Sequence, residues 1–399
     1  TLSLHDALPI WVAVIGVGGR GSWMAQALAA SPRYELVAVC DRLGAVAEHV
    51  ARRLAAGGAT VAVHTDARAC VRAGALDAVA VCTPDATHAE VAIPALEAGQ
   101  FVYLEKPLDV TEEACRALIE ADEAAGGRTF VGLNLRYAPV YRRIHDLVLA
   151  GAVGRPLTIE ASEFYVGGRT YFRRWNRLRR VGGGLWITKA CHDFDLLFWM
   201  AGAAPVAVSA FAHLSHYRAR ADVAARCRDC LRRPACPDAH PGLAADPEWA
   251  RLRGDLEAAG EPPADLCLFN SDKDTFDHGL AVVEFANGVV ASYCCNVVAS
   301  FDNRQMRVSG TEGCIEADLA RNEVVCRRRD SGEAPQRFDL AAEGVGGHGG
   351  ADQLILDGFA EFANGREAAV VRPAEAAVAV RIGLAATLSG DEGRVVALA

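Results

Sequence analysis

Lysine is almost missing from this chain of 399 residues: of 41 basic residues, only Lys106, Lys189 and Lys273 are lysines. Surfaces that hold nucleic acid need an excess of cationic charge, and the formal net charge here is −9, so no nucleic-acid partner is expected. No apolar run approaches the roughly 18 residues that a membrane-spanning helix requires, so no membrane partner is expected either. Sustained heptads and solenoid-period repeats are also lacking, which leaves out coiled coils and repeat arrays. What is present, 51% apolar and 23% charged residues, is the composition of a globular protein, and the length suits two or three domains. Where arginine is the default cation, a surviving lysine points to a need for a compact or deprotonatable amine. Lys106 and Lys189 lie in the motifs discussed below; Lys273 does not.

Residues 1–10 carry neither a strand pattern nor the charged-then-apolar pattern of a targeting segment, and they match a translated sequencing adapter. They are set aside from fold reasoning. The absence of a visible signal peptide therefore decides nothing about export, and a cytoplasmic setting is the working expectation.

From residue 11 onward, short apolar strands alternate with helices. Strands are expected at 12–15, 36–40, 60–64, 78–82, 101–104 and 129–133, with helices at 22–30, 44–55, 67–73, 86–98 and 111–125 between them. That alternation predicts a doubly wound parallel sheet, a Rossmann domain over residues 11–133. From about residue 134 the pattern turns to strands in succession, at 157–164, 206–213, 279–285, 289–298, 304–309 and 314–318. Phe285-Ala286-Asn287-Gly288-Val289 carries a hairpin signal. Residues 134–350 are accordingly expected to form an α+β domain on a mostly antiparallel open sheet, interrupted by a cysteine-rich insert at 218–275. Residues 351–399 return to helix and are expected to pack back on the first domain. The whole is an α/β protein.

Gly16, Gly18 and Gly21 stand at G-x-G-x-x-G spacing between the first strand and the first helix. The first glycine permits the turn, the second lets backbone approach a pyrophosphate, and the third lets helix and strand pack closely. Asp41 ends the second strand twenty residues later, where an acid accepts the ribose hydroxyls and repels a 2′-phosphate, favouring NAD over NADP. Arg42 beside it is able to tolerate that phosphate or to stack on adenine, so NADP stays open. Ligands of such sheets lie beyond the carboxyl ends of the strands, where residues 16–21 (with Gly19 and Arg20), Asp41, Thr83, Pro84, His88, Glu105 and Lys106 all fall.

With these motifs in place, the sequence resembles the Gfo/Idh/MocA oxidoreductases, the glucose–fructose oxidoreductase and inositol dehydrogenase relatives. The segments that carry the resemblance are 12–21, Val81-Cys82-Thr83-Pro84 with His88, Glu105-Lys106-Pro107, Gly132-Leu133-Asn134-Leu135-Arg136-Tyr137, residues 182–195, and Val308-Ser309-Gly310-Thr311-Glu312-Gly313. The resemblance implies a nicotinamide cofactor, a carbohydrate or polyol substrate, and a homo-oligomer built through the C-terminal sheet. It also implies that Lys106 reaches the substrate hydroxyl and the nicotinamide, that Asn134 lies at the cofactor, and that Arg136 and Tyr137 lie at the substrate. Members of the family carry an aspartate four residues before the histidine that here is His192; this chain has Thr188 there, with Lys189 beside it. His192 remains suited to general-base work. Thr188 supplies a hydrogen bond without charge, and Lys189 is able to bind a hydroxyl or a carboxylate. If a helix begins here, Thr188, Lys189, His192 and Asp195 share a face, and Asp195 is either a helix partner or a reacting group. Arg174 and Arg177 suit an anionic or hydroxylated substrate with Trp175 stacking on a sugar face, or else form a solvated basic loop.

Thirteen cysteines are present, most of them single in apolar segments. Cys227, Cys230, Cys236 and Cys267 differ, because they cluster in the arginine- and proline-rich insert. Their spacing suits structural zinc or an iron–sulfur cluster, with His240 as a substitute ligand; disulfides or free thiols are the other readings.

Three functions follow for comparison. The first is NAD-dependent oxidation of a secondary hydroxyl on a sugar or inositol. The second is a lyase or glycoside hydrolase that oxidises its substrate transiently. The third is a non-catalytic NAD-responsive sensor.

Overall fold

The computed structural model describes residues 8–242, 247–366 and 370–398. Six parallel strands form the first sheet: β1 (Ile10–Ile15), β2 (Tyr34–Cys40), β3 (Ala62–His64), β4 (Ala78–Val81), β5 (Phe101–Leu104) and β6 (Thr129–Val131). Their spatial order, β3-β2-β1-β4-β5-β6, reverses between β1 and β4, and the crevice at that reversal is where doubly wound sheets take their ligands. Helices cover both faces, so the central strands are apolar on both sides; β4 is buried throughout. Ile10, set aside with the first ten residues, in fact opens β1: it pairs with Tyr34 and is buried.

Nine strands form the second sheet: β7 (Pro156–Phe164), β8 (Pro205–His213), β9 (His278–Phe285), β10 (Val290–Asn296), β11 (Asn303–Gly310), β12 (Gly313–Asp318), β13 (Glu323–Arg328), β14 (Gln336–Asp339) and β15 (Val396–Ala397). The order is β14-β13-β12-β11-β7-β10-β9-β8-β15, with every pair antiparallel except β7 with β10. The last three strands lie outside the sequence expectations, since β14 is polar and exposed and β15 is two residues long. One face packs around Trp186, whose ring meets Phe276 at 4.4 Å and Phe194 at 5.8 Å. The other face is open, as the alternation in β9 requires: Ala281 and Val283 are buried while Leu280 and Val282 are exposed.

The C-terminal helices fasten the two sheets together. Helix Ala351–Ala363 lies on the first sheet, with Phe359 against Tyr34, Tyr103 and Phe130. Helix Pro373–Glu392 runs along β8 and helix Cys191–Ala201 and also touches helix Glu112–Ala124. Gly383 permits that approach, because a Cβ there would stand 2.8 Å from the Trp186 carbonyl oxygen. Among the described residues, no helix is long and apolar enough to cross a membrane.

Candidate active site

The fingerprint loop is built as its spacing demands. Gly16 has φ +84° and a Cβ there would lie 2.7 Å from the Cys82 backbone, while a Cβ on Gly21 would lie 1.7 Å from the Gly16 carbonyl oxygen. Gly18 differs: no protein atom lies within 4 Å of where its Cβ would stand, so its backbone faces open space at the start of helix Gly19–Ala30. Over Gly19 the nearest group is the Arg174 guanidinium, 3.7 Å from the Cβ position. Asp41 accepts from the backbone of Val17 at 3.1 Å and Leu43 at 3.0 Å, which holds its carboxylate at the mouth of the loop. Two buried atoms, Thr83 Oγ1 and Asn134 Oδ1, have no hydrogen-bond partner among the described residues. An open glycine cradle, an acid at the end of β2 and unpartnered polar atoms fit a dinucleotide.

Other residues expected at the cofactor serve as braces. Arg20 donates to Glu105 at 2.7 Å and to Asp352 at 2.9 Å, with its guanidinium 4.1 Å from the centre of the Trp23 ring. Arg20 and Glu105 are therefore paired with each other, joining the fingerprint helix to the turn after β5. His88 is fully buried, with Nδ1 2.7 Å from the Pro107 carbonyl and Nε2 3.1 Å from the Thr83 carbonyl. It ties the Thr83-Pro84 turn to the Lys106-Pro107 turn, and burial lowers its pKa. Arg42 points to the insert, donating to Glu261 at 2.7 Å.

Lys106 and His192 come together. The Lys106 ammonium donates to the Thr188 carbonyl at 2.9 Å. His192 is buried, its Nδ1 has no partner among the described residues, and its pKa lies well below the ordinary histidine value. Burial is the main cause, followed by the charges of Lys106, Arg304, His348 and Lys189. At neutral pH the imidazole is therefore uncharged.

The shared helical face expected for Thr188, Lys189, His192 and Asp195 does not form. Helix Leu185–Thr188 ends and helix Cys191–Ala201 begins afresh, so Thr188 and Lys189 do not share a helix with His192 and Asp195. The Thr188 hydroxyl accepts from Asn176 at 3.1 Å. Lys189 pairs with Glu163 at 2.7 Å, with its ammonium 3.8 Å from the Tyr165 ring centre. Burial lowers the Lys189 pKa by more than Glu163 raises it. Arg304 joins the same buried group, reaching Glu163 at 2.7 Å and Asp193 at 3.2 Å, while Tyr293 donates to Asp193 at 2.9 Å. Asp195 accepts a bidentate pair from Arg136 at 2.9 and 2.7 Å, and Arg136 also reaches Glu375 at 2.7 Å. Arg136 thus fastens the C-terminal helix. Tyr137 is buried beside Phe130, with its hydroxyl side against Gly358. Arg177 is buried and bound to Asp272 at 2.6 Å, which pins the insert; Trp175 is half-buried against Gly182.

Two residues that the motif reading passed over face this centre. His348, on the turn between Gly347 and Gly349, has φ 53°, a left-handed conformation uncommon outside glycine. Its ring centre lies 5.8 Å from that of His192, and its Nδ1 is 3.1 Å from Asp352. Asp352 also accepts from Arg20 and, at 2.7 Å, from Asn134. Burial opposes its ionisation, but the bonds from His348 and Arg20 outweigh it and hold its pKa well below the usual carboxylate range. The signal was the four glycines around His348 with an acid four residues on. The second residue is Asp85, buried beside Lys106 and Thr188, with one carboxylate oxygen lacking a partner among the described residues.

Among the described residues, no group of three or more histidine, cysteine, aspartate or glutamate side chains is placed to hold a metal ion. Cys227, Cys230, Cys236 and Cys267 are free thiols. Cys227 Sγ accepts from Arg173 at 3.7 Å and from the His240 backbone at 3.4 Å, while His240 Nδ1 accepts from Gly242 at 3.1 Å. Ion pairs cross the insert, with Arg226 on Glu257 and Asp265 and Arg228 on Asp265. The insert helix Pro247–Ala258 docks on the first domain, where Glu248 meets Arg52 at 3.0 Å and the Trp249 ring lies 5.5 Å from His49.

Comparison with known proteins agrees with this architecture. The oxidoreductase family with an NAD-binding Rossmann fold matches residues 10–133, and the GFO/IDH/MocA C-terminal domain matches residues 141–316. The chain is similar to YteT of Bacillus subtilis (strain 168), 28% identical over 310 residues covering 70% of this chain and 71% of that one. It is also similar to the scyllo-inositol 2-dehydrogenase (NAD(+)) of the same organism, 25% identical over 389 residues covering 97% and 95%. Among solved structures, the myo-inositol 2-dehydrogenase of Lactobacillus plantarum superimposes with a TM-score of 0.69 at 20% identity, covering 98% of this chain and all of that one. With the sheet order, the fingerprint loop and both domain matches in agreement, the chain belongs to the Gfo/Idh/MocA family of NAD-binding oxidoreductases.

Proposed function

We propose that this protein reversibly oxidises a secondary hydroxyl on a sugar- or inositol-sized polyol. The observation that carries this reading is the convergence of the Lys106 ammonium and the uncharged His192 imidazole at the carboxyl end of the parallel sheet, beside the open Gly18 backbone. When bound, NAD supplies the acceptor for the hydride. Lys106 places a positive charge where an alkoxide develops, and His192, with Nδ1 free, orients the hydroxyl by hydrogen bonding. His348, held by Asp352, stands beside His192, with the ring centres 5.8 Å apart. The names of the inositol dehydrogenases among the relatives support a polyol as the substrate class. A panel of inositols, hexoses, amino sugars and uronates, followed by reduced-nicotinamide absorbance, tests it. Turnover of at least one polyol is expected; tight NAD binding without reduction of NAD by any of them overturns it. Glycoside cleavage without net NADH would instead favour transient oxidation.

The open face of the second sheet carries exposed Phe211, Leu280, Val282 and Val290, which supports association of identical chains through it. Thirteen unpaired cysteines support a reducing, cytoplasmic setting.

NAD rather than NADP suits the adenosine end, because Asp41 is held at the loop and Arg42 is drawn toward Glu261. Asp41→Ser is expected to narrow the preference for NADH over NADPH by about 10- to 100-fold, the size of a hydrogen bond to a charged group. Glu261→Ala, which frees an exposed arginine, is expected to change it only a few-fold. Fluorescence titration with both cofactors measures each.

A further inference from the structure

We propose that the second domain contributes a cofactor-binding residue, Arg174, whose guanidinium grips the pyrophosphate of bound NAD from across the fingerprint loop. Only the family's cofactor is needed for this, so it holds whatever the polyol is.

Residues 173–180 hold five arginines, and the fold gives three of them protein partners. Arg173 donates to the carbonyls of Leu266 at 3.0 Å and Arg169 at 3.1 Å. Arg177 is buried on Asp272, and Arg179 pairs with Asp391 at 2.6 Å. Arg174 and Arg180 are exposed, and neither guanidinium has a hydrogen bond or ion pair among the described residues. They face different ground. The charge of Arg180 acts on Asp272, whereas Arg174 Nη1 lies 3.7 Å from where a Gly19 Cβ would stand.

The loop needs a cation from outside its own domain. A pyrophosphate brings a negative charge on each phosphate to the N-terminus of helix Gly19–Ala30, where backbone N–H groups and the helix dipole meet it. Arg20, inside the loop, is committed to two carboxylates, Glu105 and Asp352, so its charge is already neutralised. Arg42 is drawn away to Glu261. Gly18 and Gly19 are exposed and carry no side chain that would keep a phosphate from Arg174. A guanidinium suits the task, because its planar fork matches phosphate oxygens in pairs.

The turn that carries Arg174 is already fixed. Its carbonyl accepts from the Arg177 backbone at 3.2 Å and the Arg177 side chain at 3.0 Å, at the head of the short helix Trp175–Arg177. Asn176 on that helix donates to the Thr188 hydroxyl at 3.1 Å, and the Thr188 carbonyl accepts from Lys106 at 2.9 Å. An anion gripped by Arg174 is thus tied to the turn that borders Lys106, with little backbone left to order on binding.

Fluorescence titration of the full chain with NADH, and competition by ADP-ribose, tests this without a polyol. ADP-ribose carries the pyrophosphate and lacks the nicotinamide. Arg174→Ala is expected to weaken both by about 10- to 100-fold at low salt, the size of hydrogen bonds to a charged group. Arg174→Gln is expected to lose as much, and Arg174→Lys, which keeps the charge without the fork, to recover part of it. The decline of NADH affinity with added salt is expected to be shallower in Arg174→Ala, because one screened charge pair is gone. Arg180→Ala removes an equal exposed charge and is expected to stay within about two-fold of wild type. The urea midpoint of ligand-free Arg174→Ala is expected to match wild type, since no protein group loses a partner.

An NADH affinity in Arg174→Ala within about two-fold of wild type overturns the proposal. An equal loss in Arg180→Ala overturns it too, because the effect would then be general surface attraction. A loss for NADH with ADP-ribose unchanged would move Arg174 to the nicotinamide and away from the pyrophosphate. Unchanged NADH affinity beside a raised KM for a uronate would assign Arg174 to an anionic substrate instead.

Discussion

Lys106→Ala lowers kcat/KM by about 10²- to 10⁴-fold, the span of a positioned proton-exchanging group, and leaves NADH affinity within a few-fold of wild type. The expectation follows from the geometry: the amine lies on a carbonyl acceptor, not in a carboxylate pair, so its charge is available to a substrate oxygen. Its stem is half-buried at the end of β5, and truncation leaves that strand and its neighbours paired as before. Lys106→Arg should not recover the loss, since a guanidinium is broader, planar and does not give up a proton in this pH range. Steady-state kinetics beside a fluorescence titration with NADH separates the two effects. An equal loss of NADH affinity would assign Lys106 to holding the cofactor instead.

The second large effect is on stability. Arg304→Met leaves Glu163 and Asp193 buried together with Lys189 as the remaining cation, and breaking such a group by removing one partner costs about 3–5 kcal/mol. The pH dependence has a definite sign. Burial alone would raise the Glu163 pKa, but Arg304 and Lys189 outweigh it and the net value is lowered. The stabilisation from its ionised form is therefore present above the ordinary glutamate range and lost as pH falls through the lowered value. Asp193 is pushed up to about 6, mainly by burial. In Arg304→Met both carboxyls gain protons more readily, so the deficit against wild type is largest at pH 7 and shrinks toward pH 4. Urea unfolding followed by fluorescence and by far-ultraviolet circular dichroism measures it and shows whether the two domains unfold together. A deficit that stays constant with pH would mean that lost packing, not uncompensated charge, is the cause.

Several residues expected at the cofactor or the substrate are held by protein partners, for one shared reason. Arg20, Glu105, His88, Arg136, Arg177 and Lys189 are polar groups on turns, short helices and helix ends, the right chemistry in the right neighbourhood. Whether such a group faces a ligand or a protein partner depends on what the fold brings opposite it. Arg136 meets Asp195 and Glu375, which are 59 and 239 residues away. Lys189 is turned aside by a helix break at Lys189-Ala190 that no spacing rule contains. His348 joins the centre from a loop 156 residues beyond His192, so local spacing gave no reason to pair the two. The cysteines of the insert carry a metal-like spacing, yet arginine–carboxylate pairs hold that segment.

By itself the sequence determined the parallel sheet, because runs buried on both faces and alternating with amphipathic helices admit few other packings. It determined the loop at Gly16, Gly18 and Gly21, since two of those positions tolerate no Cβ and the third faces open space. It also determined the placing of Lys106 at a strand end. Only the tertiary structure decided which charges neutralise one another, that His192 is uncharged, and that Asp85 shares Thr188 with Lys106. The physical reason is range. Backbone conformation and apolar periodicity act over a few neighbouring residues, whereas burial and Coulomb attraction act between groups that only the finished fold brings together.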